Sequence, residues 1–178
     1  MRKVALKMNV SLDGFVGTSS GEVDWIFRSF DAELTTWIVD GLWQAGTHIM
    51  GRATYHEMAD YWPESTEPFA PPMNEIPKVV FSKTLKDADW NGTRVAGGDL
   101  AEEIALLRKQ PGKEILAHGG AGFAQSLSRL GLIDEYRLIV HPVVLGSGVS
   151  LFADPVDLKL LSSRRFNSGA VALTYERA

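Results

Sequence analysis

The run Lys113 to Leu130, KEILAHGGAGFAQSLSRL, is the strongest constraint on this chain. Glu114 to His118 is a short apolar run that reads as a buried strand, and Gly119-Gly120 interrupts it. Phe123, Leu127 and Leu130 then recur at helical spacing, so a helix from Ala121 to Leu130 follows. Strand, glycine turn, helix is the unit of an α/β protein. It is also how such proteins present backbone N–H groups to a phosphate: glycine lets the backbone approach an anion, and the helix N-terminus carries partial positive charge. A tight turn without a ligand explains these residues equally well. The third glycine of G-x-G-x-x-G is missing, because Gln125 follows Ala124, so a standard dinucleotide fingerprint is not supported.

A second turn of this kind makes the ligand reading stronger. Thr47 to Met50 is a short buried strand, Gly51-Arg52-Ala53-Thr54 follows, and a helix runs from Ala53 to about Tyr61. A guanidinium beside a helix N-terminus suits phosphate, since fork geometry and dipole act together. Ile76 to Phe81 is a third strand and ends at Ser82-Lys83. An adenosine with a free ribose 2′-hydroxyl would call for an acidic residue near a strand end. A hydroxyl and a cation suit a 2′-phosphate instead. Thr93 to Ala96 is a fourth strand, turned by Gly97-Gly98 into a helix from Asp99 to Lys109 that opens on Asp99 and Glu102.

The first strand, Lys3 to Val10, alternates: Val4, Leu6, Met8 and Val10 on one face, Lys3, Ala5, Lys7 and Asn9 on the other. It ends at Ser11-Leu12-Asp13-Gly14-Phe15, where α/β sheets place ligands, although Asp13-Gly14 reads equally as a turn. The acidic and aromatic stretch Gly21 to Phe27, with Asp24 and Trp25, suggests a substrate wall or a lid. Asp31 caps a helix whose stripe is Leu34, Trp37, Ile38, Gly41, Leu42 and Ala45. Pro63 to Pro77 is expected to be a surface loop. Glu135 to Leu145 reads as one long strand, with Pro142 implying an edge or a bulge, and Leu158–Phe166 with Ala170–Glu176 reads as a closing hairpin. The layout predicts a single α/β domain over residues 1–178: a mixed, mostly parallel sheet with helices on both faces and a C-terminal β-hairpin.

Composition excludes several functions. A formal charge of −4 argues against a nucleic-acid-binding face. With no cysteine there are no disulfides, thiolate nucleophiles or cysteine zinc sites. His48, His56, His118 and His141 lack zinc-ligand spacing, so no metal is expected. No apolar run approaches the ~18 residues of a membrane span, and no signal peptide is evident, so a cytoplasmic location is the expectation. No G-x-S-x-G elbow marks a hydrolase.

Five segments together resemble the dihydrofolate-reductase-like family. They are Ser11 to Phe15, Ile49 to Tyr55, Lys78 to Lys83, His118 to Ala121 and Gly131 to Tyr136. The nearest likeness is to the reductase half of the riboflavin-pathway bifunctional deaminase–reductase and its free-standing relatives. The resemblance spans nearly the whole chain and implies an eight-stranded, three-layer fold with NADPH as hydride donor. Gly51, Arg52, Ala53 and Thr54 would hold the pyrophosphate from one side and Gly119, Gly120, Ala121, Gly122 and Phe123 from the other. Ser82 and Lys83 would hold the 2′-phosphate, and Gly119-Gly120 would be a cis peptide. Asp13, Trp25 and Tyr55 would face the substrate, and Asp13 or Asp24 would orient it or relay a proton. The implied reaction is reduction of a small heterocyclic or ribosylated substrate, as in a 5-amino-6-(5-phosphoribosylamino)uracil reductase. The rival readings are a non-catalytic NADPH sensor or scaffold and a dihydrofolate or pterin reductase. The H-x-E and P-C-x-x-C zinc motif of the deaminase half is absent. A homodimer through the C-terminal strands is also expected, because apolar residues lie near Leu145 and exposed edges are commonly covered.

Overall fold

The computed structural model describes residues 1–178. Its eight-stranded sheet contains β1 (Val4–Ser11), β3 (Ala45–Gly51), β4 (Lys78–Phe81), β5 (Thr93–Ala96), β6 (Glu114–Ala117), β7 (Glu135–His141), β9 (Leu158–Arg165) and β10 (Val171–Arg177). The spatial order is β5-β4-β3-β6-β1-β7-β10-β9. Pairings from β5 through β7 are parallel, and β10 runs antiparallel to both β7 and β9. The short strands β2 (Phe15–Gly17) and β8 (Val149–Ser150) form a separate ribbon beside the end of β1.

Alternation along β1 puts apolar residues on both faces. Val4, Leu6, Met8 and Val10 enter one core with Ile104 and Leu107 of α4 (Leu100–Lys109) and Ala124 and Leu127 of α5 (Ala121–Arg129). Ala5 enters the other core, with Leu34, Ile38 and Leu42 of α1 (Ala32–Trp43), Tyr55 of α2 (Arg52–Tyr61) and Met73 of α3 (Ala70–Glu75). The helices thus form two layers around the sheet, as expected. Asp31 begins α1 by accepting from Leu34 N–H and also accepts from Ser168 N–H, which ties the terminal hairpin to this helix. Trp37 packs edge-on against Phe166, at the rim of the core.

Two expectations are corrected. Pro63 to Pro77 is not a plain surface loop: a 3₁₀ turn at Trp62–Glu64 and α3 occupy it, and Ala70, Pro72, Met73 and Ile76 face inward. Proline fits the first turn of a helix because its missing N–H has no intrahelical partner there. Lys78 then closes the far end of α3. Its Nζ is buried, donates to the carbonyls of Met73, Asn74 and Ile76, and lies 4.4 Å from the Trp90 ring centre. The second correction concerns Glu135 to Leu145. The strand stops at His141, so Pro142 lies beyond it, and β7 is interior, between β1 and β10. The edges of the sheet are β5 and β9.

Candidate functional site

Strands β3 and β6 are parallel neighbours, yet their following helices leave to opposite faces, α2 to one core and α5 to the other. Such a switch point opens a crevice at the carboxyl ends of the strands. The two glycine turns meet there. A Cβ on Gly51 would lie 3.3 Å from Phe123 Cβ, and one on Gly120 would lie 3.5 Å from Thr54 Oγ1. A Cβ on Gly119 would come within 2.9 Å of the Met8 side chain, whereas one on Gly122 would meet open space. The Gly119-Gly120 peptide is cis.

The helix ends differ in a way that marks this crevice. Asp31 and Asp99 cap α1 and α4 through their side chains. Neither α2 nor α5 has a side-chain cap, and their N-cap residues are Gly51 and Gly120. The first N–H groups of a helix have no intrahelical partner, so two sets of donors converge uncapped on the crevice. Beside them, Arg52 Nη1 donates to Thr84 Oγ1 at 3.0 Å. Ser82 Oγ accepts from Thr84 and Leu85 N–H and shares a 3.4 Å contact with Thr84 Oγ1, and Lys83 is exposed next to it. Phe81 stacks on Phe123 with ring centres 5.4 Å apart, joining the end of β4 to the start of α5. Gly51, Arg52, Ala53, Thr54, Ser82, Lys83 and the segment Gly119 to Phe123 therefore share one end of the sheet. These groups fit a pyrophosphate and a nearby monoester phosphate.

A cavity of about 400 Å³ adjoins this crevice through His118, the residue before Gly119. Lys7 and Asn9 of β1 and His118, just past β6, line it from the sheet, while Val23, Ile26, Phe27 and Phe30 form one wall. The acidic and aromatic segment thus does make a wall, but not through the residues expected. Trp25 is buried, donates its indole N–H to Glu22 O and sets its edge against His141. Asp24 is exposed in the first turn of the 3₁₀ helix Asp24–Ser29, outside the cavity lining.

Asp13 also lies outside the lining. Its carboxylate accepts from Ser11 Oγ, Leu145 N–H and Gly146 N–H, and these bonds, Ser11's first, hold its pKa below the ordinary value. It organises the loop after β1, and as a persistent anion it is unsuited to donating a proton. Tyr55 is on the wrong side of α2. It is buried, and its hydroxyl accepts from Asp89 and Trp90 N–H, while Met58, Tyr61 and Trp62 reach the cavity instead. A sequence motif places Tyr55 near the crevice but does not fix which helix face it occupies.

Burial keeps three histidines neutral: His118 lines the cavity, His48 bonds to His118, and His141 bonds to the lining residue Asn9. Pro72 O can only accept, so His48 Nε2 carries a hydrogen and donates across 3.1 Å. His48 Nδ1 must then accept from His118 Nε2 at 2.8 Å, leaving His118 Nδ1 as a lone-pair acceptor. Desolvation pushes His48 down to about 4 and His118 well below its ordinary value. His141 Nε2 donates to Asn9 Oδ1 at 2.9 Å and Nδ1 accepts from Ser29 Oγ at 2.6 Å, so Asn9 keeps its NH₂ as a donor. Lys7 forms no ion pair, and desolvation brings its pKa down to about 8. The floor therefore offers an ammonium, an amide donor and an imidazole acceptor to a ligand edge.

Sequence reasoning missed Lys7 and Asn9, placing them on the polar face of the first strand. The available signal was that helix stripes fall on both sides of the central strands, which puts that face indoors. A second cavity, about 620 Å³, lies between α1 and the sheet toward the amino ends of β6 and β7. Its Glu114 and Arg137 already satisfy each other in a two-bond pair at 2.5 and 2.8 Å.

The chain and its fold have counterparts among known proteins. Residues 2–172 match the family described as the RibD C-terminal domain. The chain is 36% identical to the uncharacterized protein YyaP of Bacillus subtilis, over 98% of this chain and 94% of that one. It is 26% identical to the riboflavin biosynthesis protein RibD of Corynebacterium ammoniagenes, over 86% of this chain but only 47% of that protein. A solved structure of a riboflavin biosynthesis protein from Shewanella sp. PV-4, described as putative, superposes with a TM-score of 0.82 at 23% identity, covering 99% of both chains. That last likeness is one of fold.

Proposed function

Given that this chain belongs to the RibD C-terminal domain family, we propose that it is an NADPH-dependent reductase of a small heterocyclic substrate. The observation that carries the reading is the meeting, at His118-Gly119, of the uncapped α2 and α5 ends with the polar-floored cavity. Bound there, NADPH would supply a hydride. Gly51 to Thr54 and Gly119 to Phe123 would bind its pyrophosphate, with Arg52, Ser82 and Lys83 at the 2′-phosphate.

The chain's own residues would do the rest. Asn9 and Lys7 donate to carbonyl or ring-nitrogen acceptors on the substrate edge, and His118 Nδ1 accepts from a ring N–H. Lys7, with its pKa near 8, can pass a proton to the nitrogen or oxygen of the reduced bond and recover it from solvent. The aromatic wall excludes water from the exposed face.

One observation favours the non-catalytic reading: neither expected carboxylate, Asp13 or Asp24, lines the cavity. Loss of NADPH absorbance with a panel of pterins and ribosylaminopyrimidines separates the two. Turnover of any panel member that depends on Lys7 supports the reductase. Saturable cofactor binding without turnover of any compound supports a sensor.

A further inference from the structure

We propose that the cavity takes a flat, phosphate-free ring system and rejects phosphoribosyl substrates, because its lining is aromatic, holds a single cation and sets two carboxylates at its mouth. This rests on the reductase reading of the same site and narrows its substrate class.

The lining is uneven in chemistry. Phe27, Phe30, Phe69 and Trp62 form a continuous aromatic wall: Phe27–Phe30, Phe30–Phe69 and Trp62–Phe69 ring centres lie 5.9, 6.1 and 6.1 Å apart. Such a wall offers ring faces and edges to a planar partner, and the Trp62 indole N–H is its one hydrogen-bonding group. Lys7 is the only cation in the lining, and it stands on the floor beside Asn9 and His118, where a ring edge would lie. The other charged residues, Glu57 and Glu67, are exposed and therefore stand at the opening. Glu67 is held in place by the Tyr61 hydroxyl, and Ser65 Oγ lies 3.3 Å away. Arg28, next to Phe27, lies outside the lining.

A phosphate monoester seeks guanidinium forks or helix N–H groups. Of the four longer helices, α1 and α4 are capped by Asp31 and Asp99, and the two uncapped N-termini, of α2 and α5, face the cofactor crevice. A ring seated on the floor would project a ribose phosphate toward the mouth, where Glu57 and Glu67 would repel it. A bare heterocycle avoids that repulsion and fills a volume typical of small-ligand pockets. The reaction stays a two-electron reduction: the electrophilic carbon of a ring C=N or C=O gains the hydride, its heteroatom gains a proton, and NADPH ends as NADP⁺.

The test uses the full chain saturated with NADP⁺. Three probes are titrated by tryptophan fluorescence: dihydropterin as the bare ring, 5-amino-6-ribosylaminouracil, and its 5′-phosphate. NADPH turnover is measured with pterin, the same ring oxidised, and with the two ribosylated probes. The expected order of affinity is bare ring, ribosylated form, phosphate, with at least about tenfold between first and last. In E57Q/E67Q the phosphate should gain about fivefold or more while the bare ring and NADP⁺ change little. Tightest binding by the phosphate, no response of the phosphate to E57Q/E67Q, or binding of none of the three overturns the proposal. Binding in the expected order with no NADPH consumed supports the pocket assignment and overturns the reductase reading, so the two failures are distinct.

Discussion

Lys7 is where residue-scale chemistry and function meet. It forms no ion pair and lines both cavities, close to histidines that burial keeps neutral. A charge-assisted bond to substrate is worth roughly 1.5–3 kcal/mol, or one to two decades. Lys7→Met should therefore lower kcat/KM by about tenfold to a hundredfold while leaving NADPH affinity within about twofold. Equal loss of both would mean that Lys7 supports the fold instead. The histidines make a stability prediction. Unfolded, His48 and His118 take protons near 6.5; folded, burial brings His48 down to about 4 and holds His118 well below its ordinary value. The unfolded state thus binds more protons between those values. Stability is full above about pH 6.5 and falls as pH drops toward 4, by roughly 1.4 kcal/mol per pH unit for each of the two. Denaturant unfolding at about pH 7 and pH 5 checks this, and an unchanged midpoint would contradict it.

At the scale of elements, the uncapped N-termini of α2 and α5 hold the free backbone donors. Gly122 sits in the first turn of α5 with open space where a side chain would go. An aspartate there adds helix propensity and a favourable charge at the dipole, together about 1 kcal/mol. Gly122→Asp should therefore raise the melting temperature by a few degrees and weaken NADPH binding by at least about tenfold. A variant both stabler and undiminished in binding would show that this helix end does not face the cofactor. These strand–glycine–helix units were legible in the sequence because strand runs, glycines and helix stripes are local signals. What was not legible depended on packing. Tyr55 and Met58 sit on one helix, and only the docking of α2 sends Met58 to the cavity and Tyr55 to the Asp89–Trp90 loop. Asp13 offered the right chemistry at the right strand end, but the segment beyond Pro142 folds back and consumes its carboxylate. Pro142 looked like an edge marker because strand order is invisible to a reading along the chain.

Across the whole molecule, the exposed edge is β9. Leu160 and Leu161 are about half exposed there, and the bulge opposite Thr174/Tyr175 disturbs the pairing nearby. Long apolar edges are usually covered, so we propose that the homodimer expected through the C-terminal strands forms on β9. Light scattering at micromolar concentration should give twice the chain mass, and Leu160→Lys with Leu161→Lys should return a folded monomer. A monomeric parent protein would remove the proposal. No helix is long and apolar enough to cross a membrane. The molecule as a whole is a sheet whose parallel half builds the crevice between α2 and α5 and whose antiparallel half carries the apolar edge.

We propose that Arg52, Ser82 and Lys83 read a 2′-phosphate beside the paired helix ends. The direct measurement is calorimetric titration of NADPH and NADH into the parent protein and Lys83→Ala. The parent should prefer NADPH by at least about tenfold, from one charge-assisted phosphate contact of roughly 1.5–3 kcal/mol. Lys83→Ala should weaken NADPH far more than NADH, which has no phosphate there to lose. Equal affinity of the parent for both cofactors, or equal loss of both in Lys83→Ala, would mean that these residues form no 2′-phosphate pocket.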